Sequence, residues 1–336
     1  MLIDFCRTIC YSVSIHKRIN KLIYIMKNKL NVAIIGIGHL GSRHLKVYHE
    51  LSQEVNLIGV CDVKESRTKK LADHYNVKLF SSHKELIGKV DAVNICTPTT
   101  CHFDIAKDFL ENDIHTFVEK PITTTVAQAN QLIKIAEEKK LILQVGHIER
   151  FNSAFKSIKH FAKNPKFIEC HRLNRFPNRS LDIGVVMDLM IHDIDIILGL
   201  AKSKVSDVRA SGVKVLTHLE DIANARITFE NGCVCNLTAS RISDEVTRKI
   251  RIFLEDSYIS LDYVKQEAFV YKKHRKLISK HSLPIEKEEP LKKELQSFID
   301  CVQNNKKPIV SGSEGRDALV LALDITNQIW NSKKPI

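Results

Sequence analysis

A chain of 336 residues is longer than one ordinary core supports and suits two domains of typical size. Its 44% hydrophobic and 27% charged residues exclude a disordered or fibrous chain, and no run of about eighteen uncharged apolar residues is present to span a membrane. The net charge of +12 comes largely from lysine spread along the chain without a dense basic block, which argues against a nucleic-acid partner and suits anionic ligands.

Residues 1–25 scatter charges among apolar side chains and end in no small-residue cleavage pattern, so they do not read as a signal peptide. Met26 opens MKNKLNVAIIGIG, a natural start for a first strand, and the stretch before it reads as an upstream extension or a loose tail. The nine cysteines are an odd number, and most lie in apolar runs such as Cys61 in LIGVCD and Cys96 in VNICTP. That usage suits free thiols in a reducing cytoplasm. Cys233 and Cys235 would share one face of a strand, but no second Cys/His pair follows at zinc spacing, so no metal is expected.

From Leu30 the chain alternates apolar runs with amphipathic ones. Strands are expected at residues 32–36, 56–62, 91–97, 115–118 and 141–145, and helices at 42–51, 65–74 and 127–139. This alternation is that of βαβ units and a parallel sheet. The first turn reads Gly36-Ile37-Gly38-His39-Leu40-Gly41, directly between a strand and a helix. Here Gly36 allows the tight turn, Gly38 the approach of a pyrophosphate, and Gly41 the packing of helix on strand; the helix N-terminus favours the anion. Asp62 ends the second strand, twenty-one residues past Gly41. A carboxylate there binds adenosine ribose hydroxyls and repels a 2′-phosphate, which favours NAD; Arg67 leaves some room for NADP.

Two further elements follow: DAVNICTPTTCH over residues 91–102 and HTFVEKPIT over 115–123. Together with the glycine turn they resemble the Gfo/Idh/MocA family of sugar and cyclitol oxidoreductases, over nearly all of the chain past residue 28. The resemblance implies that Thr97, Pro98 and His102 border the cofactor with His39 and Leu40. It further implies that Glu119 is an orienting neighbour, Lys120 the catalytic lysine and Pro121 a rigid turn, often cis. A cation beside the reacting carbon–oxygen bond stabilises alkoxide character.

Residues 181–200 read LDIGVVMDLMIHDIDIILGL, a helix apolar nearly all round. Asp188, His192 and Asp195 fall at i, i+4 and i+7, one polar stripe that should face a cleft. Alone, the stripe also suits a histidine satisfied in the core, or a metal site lacking a third ligand. The family resemblance implies that His192 takes the hydroxyl proton and that Asp188 orients it or binds a neighbouring hydroxyl. The chain departs from the family in having Asp182-Ile183-Gly184-Val185 where two or three glycines are usual, and Asn112-Asp113 where a glycine precedes the fifth strand.

The connector Gly146-His147-Ile148-Glu149-Arg150-Phe151-Asn152 resembles that of members acting on nucleotide sugars, and the run from His171 to Asp195 is similar to sequences related to UDP-N-acetylglucosamine 3-dehydrogenases. Arg150, Arg172, Arg175 and Arg179 bring guanidinium forks near the expected cleft, as a diphosphate requires, with Asn152 beside them. Free sugars or inositol as substrate, and a sensor that binds NAD without turnover, are the competing readings. Strands are expected at 167–172, 221–230, 233–242, 249–254, 258–263 and 268–271, with Asn231-Gly232 as a hairpin signal, then helices at 290–304 and 313–331. The expected fold is α/β: a doubly wound parallel sheet over 26–147, then an α+β domain over 148–336 with a large, mostly antiparallel open sheet. Such a sheet commonly serves the family as an interface, so a homodimer or homotetramer is expected.

Overall fold

A computed structural model describes residues 29–176, 183–275 and 277–331. The first strand, β1 (Leu30–Ile35), has Val32, Ala33 and Ile34 wholly buried, because a parallel strand covered on both faces has no polar side to show. Around it lie β2 (Val55–Cys61), β3 (Lys78–Phe80), β4 (Ala92–Ile95), β5 (His115–Glu119) and β6 (Leu143–Gly146). All pair parallel, in the order β3-β2-β1-β4-β5-β6. That is the dinucleotide-binding order, with a crevice at the carboxyl ends where the winding reverses at β1 and β4. Strand β3, absent from the sequence reading, is three residues long, too short for periodicity to register. Helices α1 (His39–Glu50), α2 (Glu65–Tyr75), α3 (His102–Glu111) and α4 (Val126–Glu138) connect the strands.

After the short helix α5 (Ser153–Ile158) comes a second sheet of eight strands. It holds β7 (Phe167–Leu173), β8 (Val205–Val213), β9 (Ile222–Phe229), β10 (Val234–Ser240), β11 (Thr247–Phe253), β12 (Ser257–Asp262), β13 (Glu267–His274) and β14 (Leu277–Ser282). Only β7 and β10 pair parallel. One face packs on helix α6 (Ile191–Ala201); the other carries a half-buried aromatic row, Phe167, Phe253, Tyr258 and Tyr271, with the two tyrosine rings stacked at 4.2 Å. The outermost strands β8 and β14 escaped the sequence reading because they are edge strands with mostly exposed side chains and little apolar alternation. The Asn231-Gly232 signal forms its hairpin: Gly232 donates its N–H to the Phe229 carbonyl and adopts φ 82°, a turn closed by a left-handed glycine.

The expected division at residue 148 needs one correction. Helix α7 (Pro290–Asn304) leaves the second sheet for the first, and α8 (Gly312–Asn331) packs on both. Leu291, Leu295, Phe298 and Ile299 join the core over Val32, Ile34 and Phe117, and Ser311 bridges to Gln144 beside β6. Helix α8 touches α4, α6 and β8 and so ties the two sheets together. The amphipathic pattern of α7 shows that it must bury one face; it does not say against which sheet. Among the described residues no helix is long and apolar enough to cross a membrane.

Candidate active site

The glycine turn lies at the crevice. Gly36 has φ 87°, and a Cβ there would come within 2.8 Å of the Cys96 carbonyl group. A Cβ on Gly41 would collide with the Gly36 carbonyl, whereas the space around Gly38 is open. Gly38 caps α1 without a side-chain bond, so the first-turn N–H groups face that opening. Asp62 closes the turn from β2: its carboxylate accepts the Ile37 N–H at 2.5 Å and the Lys64 N–H at 2.7 Å. The Thr97 hydroxyl, across the crevice on the loop after β4, is buried and has no hydrogen-bond partner among the described residues. An open anion cradle, a carboxylate at the end of β2 and an unspent buried hydroxyl fit a dinucleotide. His39 is exposed and Leu40 half-buried at this rim; the side chain of Arg67 lies outside the described structure.

Lys120 follows directly on β5, and the Lys120–Pro121 bond is cis. Its Nζ reaches across to the second unit and donates to the Asp188 carbonyl at 2.6 Å and to Asp188 Oδ1 at 3.0 Å. Asp188 sits in a single π-helical turn, Val186–Met190, immediately before α6. Widened turns of this kind are frequent at functional sites. His192 opens α6, half-buried, with Nδ1 unpartnered among the described residues and the His147 ring 6.2 Å away. Burial, then the charge of Lys120, hold its imidazole well below the ordinary histidine range. It is therefore neutral near pH 7, the form that accepts a proton. Lys120, 68 residues before Asp188, meets the Asp188–His192 pair as one site.

Other expected site residues are placed differently. His102 is buried and braces the loops, its two ring nitrogens lying 2.9 Å from the Thr97 and Pro121 carbonyls, so no ring nitrogen remains for a cofactor. Arg150 is spent on Asp195, through Nε at 2.6 Å and Nη2 at 2.9 Å, which also takes Asp195 out of the expected cleft stripe. Arg172, 2% exposed, binds Asp193 through Nε and Nη2 and Glu149 through Nη1. Asn152 caps α5 and donates to the Tyr263 carbonyl, so its amide too is committed within the protein. Arg175 remains exposed, donating through Nε to the Asp244 carbonyl; Arg179 and Asp182 lie outside the described residues.

The Arg172 cluster carries a stability prediction. Arg172→Leu leaves two buried carboxylates without their cation, and breaking such a pair costs about 3–5 kcal/mol. Thermal or denaturant unfolding should show a loss of that size; a loss below about 1 kcal/mol would mean that Asp193 and Glu149 find other donors.

Sequence reasoning missed a buried network behind Lys120, in which Tyr48, Asn94 and His44 lead to Glu119. The available signals were Asn94 inside an apolar strand and His44 on the helix face that also carries Gly41, Leu45 and Tyr48. His44, Cys96 and Glu119 bring three ligand-type atoms within 4.8 Å, but both His44 nitrogens are already hydrogen-bonded. Glu294, from α7, is fully buried nearby without a partner for either oxygen among the described residues, and burial pushes its carboxyl well up.

Residues 30–147 match the model for the NAD-binding Rossmann fold of an oxidoreductase family, and residues 144–260 match the Gfo/Idh/MocA C-terminal domain. The chain belongs to the Gfo/Idh/MocA family. It is 36% identical to UDP-N-acetylglucosamine 3-dehydrogenase of Acidithiobacillus ferrooxidans, over 88% of this chain and 96% of that one. The crystal structure of that enzyme superposes with a TM-score of 0.85, covering 90% of this chain and 98% of its own. Myo-inositol 2-dehydrogenase of Thermotoga maritima is 27% identical over 87% of this chain and 94% of its length. WlbA dehydrogenase of Bordetella pertussis, solved in complex with NADH and UDP-GlcNAcA, shares the fold at 17% identity, with a TM-score of 0.76 over 92% of this chain and all of that one. As a Gfo/Idh/MocA protein, the chain is a dehydrogenase acting on a CH–OH group, with an α/β fold of a parallel Rossmann sheet and a separate, mostly antiparallel one.

Proposed function

We propose that the chain oxidises a secondary hydroxyl of a UDP-linked amino sugar, C3 of UDP-N-acetylglucosamine, with NAD as the acceptor. The observation that carries the hydroxyl oxidation is the meeting of Lys120 and Asp188 with a neutral His192 beside the carboxyl end of β5. NAD, when bound, supplies the hydride-accepting carbon. His192 takes the hydroxyl proton as the carbon–oxygen bond gains double-bond character, and the substrate leaves as the 3-keto sugar, having lost one proton and one hydride. Lys120 Nζ stabilises the developing alkoxide, and the Asp188 carboxylate and carbonyl fix Nζ in place.

The sugar assignment rests on the 36% identity to UDP-N-acetylglucosamine 3-dehydrogenase across nearly its whole length. With Arg150 and Arg172 committed to carboxylates, the diphosphate falls to Arg175 and Arg179. Asp62 supports NAD over NADP through repulsion of a 2′-phosphate. The seven free thiols of the described chain, five of them buried, suit the reducing cytoplasm. The half-buried aromatic row on the second sheet is the surface through which we expect a homodimer or homotetramer to form.

The test is NADH formation on mixing the protein and NAD with UDP-N-acetylglucosamine, UDP-N-acetylglucosaminuronate, free N-acetylglucosamine and myo-inositol. Turnover with a UDP-sugar and none with the free sugar is expected. Turnover with myo-inositol alone would overturn the sugar assignment and leave the dehydrogenase reading standing.

A further inference from the structure

A one-way chain of hydrogen-bond donors ends on Glu119. The Tyr48 hydroxyl donates to Asn94 Oδ1 at 2.6 Å, and the Asn94 amide donates to His44 Nδ1 at 3.1 Å. With Nδ1 accepting, the ring proton lies on Nε2, which donates to Glu119 Oε1 at 3.0 Å. The other oxygen, Oε2, accepts the Lys120 N–H at 3.2 Å. Tyr48, Asn94 and His44 are completely buried and Glu119 is 7% exposed. Gly146 on β6 is part of the arrangement, since a Cβ there would come within 2.8 Å of Oε2.

Such a chain fixes the charge at its end. Three donors in series, each aimed at the next group, favour an acceptor that gives nothing back, and an ionised carboxylate is the acceptor such a chain stabilises most. Glu119 is held below the ordinary glutamate range in spite of its burial, by His44 and then by Lys120. Glu294 faces it from α7 with no donor among the described residues and is pushed the other way, so one of the two buried carboxyls is anionic and the other neutral. Cys96 and His147 also face Glu119; burial holds the thiol well up and the imidazole down, so both are uncharged.

The position of this anion gives it a role. Asp62 on β2 and the glycine turn after β1 fit the adenosine and pyrophosphate, which sends the other half of a dinucleotide over β4 and β5. Glu119 ends β5 beside Lys120. The nicotinamide ring is cationic when oxidised and neutral when reduced, so a fixed anion nearby attracts one form only.

We propose that the buried Glu119 carboxylate, held by the Tyr48–Asn94–His44 chain, biases the site toward NAD⁺ over NADH and so sets the redox poise of the bound cofactor. This inference rests on the assignment of NAD to the site and is independent of the sugar. Glu119 and His44 act here as positioning and electrostatic residues, without taking part in proton transfer.

The experiment is calorimetric or fluorescence titration of the full chain with NAD⁺ and with NADH, in the wild type and in Glu119→Gln, Glu119→Asp and Tyr48→Phe. Glu119→Gln removes the charge and keeps the shape. It should move the ratio of the two dissociation constants about tenfold in favour of NADH, equivalent to ~30 mV for a two-electron couple. Tyr48→Phe, which removes only the outermost donor, should move the ratio the same way by less. Glu119→Asp keeps the charge and should hold the ratio near wild type even if both affinities weaken. A Gln variant whose two affinities fall together, with the ratio within about twofold of wild type, would overturn the inference while leaving NAD binding intact. A wild-type chain that binds neither form would overturn the cofactor assignment with it.

Discussion

Replacing Lys120 by alanine is expected to lower kcat about 10³- to 10⁴-fold, with KM for the sugar changing far less. Nζ links the Rossmann half to the π turn of the second unit through two bonds to Asp188. Alanine removes the charge that meets the developing alkoxide, an interaction strongest in the transition state, so the loss belongs to kcat. Lys120→Arg should recover little, because a planar fork cannot place one donor at both the Asp188 carbonyl and the substrate oxygen. NADH affinity, measured separately by titration, should change little, since the glycine turn and Asp62 are untouched and the reduced ring carries no charge for Lys120 to act on. A fall confined to KM would show that Lys120 binds the substrate without acting on the reacting bond.

The second large effect is expected at His192. His192→Asn should lower kcat about 10²- to 10⁴-fold, the usual contribution of a placed general base. The pH profile distinguishes this from a packing defect. Burial and the Lys120 charge depress the His192 pKa, and the neutral ring is the working form. Wild-type activity should therefore persist down through the ordinary histidine range and fall only below it, as the ring is protonated. The variant should lose that acid limb along with its rate. An acid limb centred at or above the ordinary histidine value, or a variant with wild-type kcat, would remove His192 from the role.

The two halves of the site were legible for different reasons. The glycine turn and Asp62 follow from local sequence, because a strand, a turn and a helix in that order leave few ways to place a dinucleotide. Lys120 and the Asp188–His192 pair were legible through family motifs, and the structure adds what no motif states: the Lys120–Asp188 bond and the depressed imidazole. The arginines were not legible. An arginine near a cleft looks the same in sequence whether it waits for a phosphate or is held by a carboxylate. The partners Asp195, Asp193 and Glu149 lie tens of residues from Arg150 or Arg172, or follow a turn that only folding defines. His102 was misplaced for a related reason: its position in the motif identifies an important residue and leaves open whether it touches the ligand or braces the loops that do.

At the level of fold, buried elements announced themselves and edges did not. Strands β1, β4, β5 and β6 are buried along most of their length, whereas β8 and β14 show mostly exposed side chains that read as loop. The return of α7 to the Rossmann sheet was hidden because an amphipathic helix states that it packs and is silent about its partner. The donor chain to Glu119 was hidden more deeply. Tyr48, Asn94, His44 and Glu119 come from a helix and two strands, and only the parallel register of β4 beside β5 aligns them.

Hydride transfer from C3 of a UDP-linked amino sugar to NAD is the proposed reaction. Its most direct test uses UDP-N-acetylglucosamine deuterated at C3, incubated with wild-type protein and NAD, with the reduced cofactor analysed by mass spectrometry. The expected product is NADH that carries the deuterium, formed together with a 3-keto sugar, with no label transfer by the Lys120→Ala protein. Reduced cofactor without deuterium would contradict it by placing the oxidised carbon elsewhere on the substrate, and absence of reduced cofactor at any enzyme concentration would contradict the assignment of this substrate.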